Sequence, residues 1–179
     1  MPIIIAFTAI VLAYVFLVSF GALRDLSTFR IPNWVSYGIA GLFLVQSFFA
    51  WMFLPSPPDI FFGVPLFVIK LAIGLAVFLV SLVFWARGYI GGGDSKFLVA
   101  TSLWMGPEGV VVFMVLVSAL SLLMALFLRT TSTWGFLVHE GKLPTFVKRL
   151  YARLENNQLP FGFPIGIAAL VMIPEIFAF

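Results

Sequence analysis

Two carboxylates in this 179-residue chain stand where they could work together. Asp25 closes an apolar run that begins at Pro2, and Asp94 follows the triplet Gly91-Gly92-Gly93 just ahead of another apolar run. Two aspartates held close share one proton, because like charges at short range resist joint ionisation. The ionised member can take a proton from water. The protonated member can donate to a carbonyl oxygen and then to a leaving amine. That is the chemistry of peptide-bond hydrolysis with neither a metal nor a covalent intermediate. The titration belongs to the pair, so the base is not assigned to one aspartate. The chain has no cysteine, which removes thiol nucleophiles, disulfides and Cys-ligated zinc. The single His139 excludes a His-rich metal site and argues against a Ser/His triad. No metal and no cofactor are called for.

Each piece also has a plainer reading. Asp94 after three glycines suits the N-cap of a helix, and Gly91–Gly93 then form only a tight turn. Asp25 can pair with Arg24 or Arg30 at a span end. Arg30 and Lys96 read as ordinary cytoplasmic charges, Pro32 as the start of a helix, and Asn33 as a helix cap.

The elements that must position the pair are read from hydropathy. Hydrophobic residues make up 63% of the chain, charged ones only 9%, and mean hydropathy is +1.17. A soluble domain carries about 25% charged residues, and apolar runs of about 18 or more signal membrane spans. The expectation is an all-α membrane protein: a polytopic bundle of about six transmembrane helices forming a single domain over residues 1–179. The spans are placed at Pro2–Leu23, Trp34–Leu54, Ile60–Ala86, Ser95–Met105, Gly109–Leu128 and Pro160–Phe179. The first is read as a retained span, since no basic residue precedes its apolar run.

With the N-terminus outside, the cytoplasmic segments hold Arg24, Arg30, Arg87, Lys96, Arg129, Lys142, Lys148, Arg149 and Arg153, leaving only Lys70 in the outer half of a span. The positive-inside rule therefore favours N-out, C-out in a cytoplasmic (inner) membrane. Asp59, Glu108 and Glu175 fall on the other side, away from Asp25 and Asp94. Ser95–Met105 as a helix rises only about 17 Å, so the preceding loop is expected to dip toward the membrane and place Asp94 in a recess. From Pro144, apolar Phe146, Val147, Leu150, Tyr151 and Leu154 share one face while Lys148, Arg149 and Arg153 take another. This predicts a cytoplasmic amphipathic helix lying on anionic lipid. A net charge of +3 gives no case for nucleic acid as a partner.

The motifs together are more specific than their parts. Asp25-Leu-Ser-Thr-Phe-Arg30-Ile31-Pro32-Asn33 resembles the first signature of the type IV prepilin peptidases, an Asp followed by Arg-Ile-Pro-Asn. Gly91-Gly92-Gly93-Asp94-Ser95-Lys96 resembles their second, the Gly-x-Gly-Asp-x-Lys segment of the GxGD aspartic peptidases. Leu159-Pro160-Phe161-Gly162 through Ala168 is similar to the stretch that opens their last span, with Phe161 in place of Tyr and Gly166 interrupting the small-residue pattern.

The resemblance implies an aspartic endopeptidase that cuts the leader from a prepilin at the cytoplasmic membrane interface, with Asp25 and Asp94 catalytic. It implies that Arg30, Pro32, Asn33, Gly91, Gly92, Gly93 and Lys96 support the site or bind substrate. Its partners would be a prepilin with a hydrophobic N-terminal helix, membrane lipid and the pilus assembly machinery. The lack of cysteine pairs resembles the short CpaA/TadV-like branch of Flp (tight-adherence) pili and speaks against N-methylation. Archaeal preflagellin peptidases share the Asp motifs. Among rivals, an intramembrane protease of the presenilin kind shares Gly-x-Gly-Asp, though Arg-Ile-Pro-Asn after Asp25 speaks against it. A non-catalytic scaffold or small transporter is the reading from another class.

Overall fold

Long runs of Leu, Val, Ile and Phe with few polar side chains fold as helices, because each backbone N–H and C=O must then find its partner within its own segment. In the computed structural model, which describes residues 2–53, 60–61, 64–131 and 159–176, α1 covers Pro2–Thr28 and α2 Asn33–Phe53. A short antiparallel pair follows, β1 (Ile60–Phe61) and β2 (Val64–Pro65), with Ile60 opposite Pro65. Then come α3 (Leu66–Ala86), α4 (Gly92–Ser102), α5 (Gly109–Thr131), α6 (Gly162–Val171) and the single turn α7 (Ile173–Ile176).

Four helices are long and apolar enough to cross a membrane: Ile4–Thr28 of α1, α2, α3, and Gly109–Phe127 of α5. Their outward faces expose Leu12, Phe16, Phe48, Leu79 and Leu126. A continuous apolar exterior of this kind suits lipid rather than water. The chain has the character of a multi-pass membrane protein.

Three boundaries differ from those expected. The run starting at Ile60 becomes helical only at Leu66, because Pro65 holds an extended ψ of 133° at the cap position. The fourth run is helical from Gly92 rather than Ser95 and ends at Ser102. The last run starts at Gly162 and breaks after Val171, with Met172 ending the helix in a turn. Neither α4 nor α6 is long enough to count among the four. The expected amphipathic helix from Pro144, His139 and Asp59 lie outside the described residues.

The core forms where these two short helices are enclosed. α4 packs against α2, α3 and α6, and α6 packs against α1 and α5. Trp104, just past α4, is 1% exposed; its indole N–H donates to the Ile39 carbonyl at 3.2 Å, and its ring lies 4.5 Å from Tyr14. Small residues let the backbones approach, as in other membrane helix pairs. A Cβ on Gly166 would come within 2.5 Å of Ala22 Cβ, so the α1–α6 crossing needs the glycine that interrupts the small-residue pattern in sequence.

Candidate active site

Asp25 sits in the last turns of α1 and is 2% exposed. The helix runs one turn beyond the apolar stretch because polar side chains satisfy its end. Ser27 Oγ and Thr28 Oγ1 donate to the Arg24 carbonyl at 3.0 and 2.8 Å, and Thr28 Oγ1 also reaches the Arg30 carbonyl at 3.2 Å. The Phe29 N–H bonds the Asp25 carbonyl at 2.7 Å, with Phe29 at φ 54°. A left-handed phenylalanine costs roughly 1–3 kcal/mol, and it reverses the chain so that Ile31 turns inward beneath the site. Pro32 follows, and its carbonyl accepts the Val35 N–H at 3.0 Å as α2 begins.

Asp94 lies in the first turn of α4. It is not the N-cap: Gly91 holds that position, and no side chain caps the helix. The triplet glycines have ordinary torsions; the positive φ in this loop belongs to Gly88, at 75°. Glycine is needed at the triplet for closeness instead. A Cβ on Gly91 would lie 2.9 Å from Asp94 Oδ2, and one on Gly92 would lie 3.2 Å from Trp85 Nε1. Gly93 faces the backbone of Ile31, where a Cβ would make ordinary contact at 3.6 Å.

The two aspartates meet at the start of α6. The backbone N–H groups of Gly162 and Phe163 act on the Asp25 carboxylate, and those of Gly162 and Gly91 act on Asp94. Gly162 is thus shared by both. Asp25 Oδ2 is buried without a hydrogen-bond partner, a cost that native structures seldom carry without a purpose. Asp94 lies outside the four candidate spans. Burial pushes its carboxyl up to about 7, the neighbouring Asp25 charge adds to the shift, and the Gly162 and Gly91 N–H groups oppose it. A carboxyl poised near neutrality beside a second carboxylate can hold a proton or release it.

Arg30 and Asn33 line an open depression of about 440 Å³ beside the site, together with Arg24, Thr28, Ile31 and Pro32. Lys96 Nζ donates to Asn33 Oδ1 at 3.1 Å, tying α4 to α2. Asn33 therefore serves as a tether between helices rather than as a side-chain cap. Among the described residues neither Arg30 nor Lys96 forms an ion pair with an aspartate, and the influences on Asp94 do not include either cation. Glu175 sits at the far end, against Gly109 at the start of α5, where a carboxylate suits a helix N-terminus. Among the described residues no group of acidic or histidine side chains could hold a metal ion.

Gly162 is the site residue that reading by side-chain chemistry leaves out. Its contribution is a backbone N–H and an absent Cβ, and its signal in the sequence is the Pro160-Phe161-Gly162 stretch. A Cβ there would fall 2.5 Å from Ile31 Cδ1 and 2.9 Å from both Cγ and Oδ2 of Asp25. No curated protein and no solved structure matches the chain. Residues 7–126 match the family described as the type IV leader peptidase family.

Proposed function

The chain belongs to the type IV leader peptidase family, and from that premise we propose that it is an aspartic endopeptidase that removes the leader of a type IV or Flp-like prepilin. The observation that carries the reading is the meeting of buried Asp25 and half-buried Asp94 beside Gly162 at the start of α6. The family match covers both aspartates and makes the chain a peptidase; the prepilin substrate is our reading.

The reaction follows from one shared proton. The ionised aspartate takes a proton from a water held between the pair, and the oxygen attacks the scissile carbonyl carbon. The protonated aspartate donates to the carbonyl oxygen, giving a neutral tetrahedral diol. A proton then passes to the amide nitrogen, the C–N bond breaks, and the released amine and acid leave the pair with one proton again. Burial supports this sequence by keeping one carboxyl protonated near neutral pH.

We place the site at the cytoplasmic surface of the inner membrane. The proposed topology has both termini outside and about six passes. α4 and α6 supply the two short ones, entered just after Asp94 and Gly162. Arg24, Arg30, Arg87 and Lys96 near this end of the bundle support that orientation. The absence of cysteine favours the short CpaA/TadV-like branch. The test is to reconstitute the protein with a prepilin and sequence the new N-terminus. A cut between basic leader and hydrophobic helix is expected. Cleavage elsewhere, or none on several pilins, removes the prepilin assignment.

A further inference from the structure

The depression between the end of α1 and the start of α2 is lined by Arg24, Thr28, Arg30, Ile31, Pro32 and Asn33. Neither arginine has an acidic partner among the described residues. A third cation, Lys96, stands at its edge on Asn33. The Arg24 carbonyl accepts the Ser27 and Thr28 hydroxyls and the Arg30 carbonyl that of Thr28, and no residue lining the hollow carries a negative charge. The first turn of the 21-residue α2 opens at Asn33 and adds the positive end of a helix dipole. Two forked guanidiniums around one hollow match the oxygens of a phosphate. The hollow also lies at the ends of two apolar helices, with exposed Trp34 and Tyr37 alongside. Those aromatic types mark the headgroup level of a bilayer.

We propose that this hollow is a phosphate-binding site that holds the headgroup of an anionic phospholipid, pinning the turn that carries Asp25 to the membrane surface. The idea rests on the membrane orientation proposed above but not on the peptidase chemistry, so it is tested by binding rather than by cleavage. The cations call for a ligand of opposite charge, and the two helices beside them are long and apolar enough to cross a membrane. That combination selects a lipid phosphate over a soluble one.

The experiment is native mass spectrometry of the full chain released from phosphatidylcholine vesicles containing a minority of phosphatidylglycerol. It compares wild type, the double variant Arg24→Gln/Arg30→Gln, and Arg87→Gln, which removes an exposed cation outside the hollow. Wild type and Arg87→Gln should each retain one phosphatidylglycerol. The double variant should lose affinity by about tenfold or more, a change of about 1.4 kcal/mol, because both guanidinium partners of the phosphate are removed. The single variants carry the same comparison if the double variant does not fold. Equal retention by the double variant overturns the proposal, and so does an equal loss in Arg87→Gln, which would mark diffuse charge attraction. Displacement of phosphatidylglycerol by millimolar inorganic phosphate would assign the hollow to a soluble phosphate and overturn the lipid assignment.

Discussion

Replacing Gly162 with alanine isolates the role of one missing methyl group. The added Cβ would lie 2.9 Å from Asp25 Cγ and Oδ2, about 0.5 Å inside ordinary contact at 3.4 Å, and 2.5 Å from Ile31 Cδ1. The isoleucine can change rotamer, but Asp25 lies in a packed helix and is 2% exposed. Its carboxylate, or the α6 start, must therefore move by about half an ångström, the tolerance of a working catalytic constellation. A displacement of about 1 Å costs roughly 10²-fold in rate, so kcat for leader cleavage should fall by about 10- to 100-fold. Stability should fall by about 1–3 kcal/mol from overpacking. Gly166→Ala is the matched control: its Cβ would meet Ala22 Cβ at 2.5 Å on the same α1–α6 seam, with no aspartate among its three nearest contacts. It should lose stability similarly yet keep its rate per folded molecule. The assay is cleavage in vesicles normalised to the folded fraction from thermal unfolding. Wild-type turnover in Gly162→Ala, or an equal loss of turnover in Gly166→Ala, would refute the reasoning.

The pH dependence follows from Asp94. Its carboxyl is raised from 3.8 to about 7, so its contribution to stability is fully present below about 4 and is lost as pH rises through about 7. Asp94→Asn should therefore gain stability over wild type on going from pH 5 to pH 8, by up to about 2.7 kcal/mol, about two pH units at 1.36 kcal/mol each. A constant difference in unfolding midpoint between the two would contradict this. Turnover should fall above about pH 7 as the pair loses its shared proton. Lys96→Met should lower stability by about 0.5–1.5 kcal/mol through the lost bond to Asn33. It should leave the pH profile of cleavage unmoved, since Lys96 does not pair with either aspartate; a shifted profile would restore an electrostatic role.

Hydropathy made the apolar helices legible, and the Asp-plus-turn motifs made Asp25 and Asp94 legible. What the sequence hid is geometric. Asp94 reads as a cap because capping depends on local residue type, whereas the actual cap at Gly91 leaves the carboxylate free to face Gly162. The glycine triplet invites an explanation by torsion, but its torsions are ordinary and the constraint is contact with Asp94 and Trp85. Asn33 suggests a cap and is a tether to Lys96. Gly162 carries no side-chain chemistry, so only the fold shows that its bare Cα lies against the Asp25 carboxylate. The start of α3 was displaced because a continuous apolar run does not reveal that Pro65 is extended.

The most direct test of the central claim is cleavage of a purified prepilin by the reconstituted protein, by Asp25→Asn and by Asp94→Asn, with each variant verified as folded. Removal of one member of a shared-proton pair should abolish the cut in both variants while wild type releases the leader. A folded variant that still cleaves at a rate near wild type would contradict the two-aspartate account.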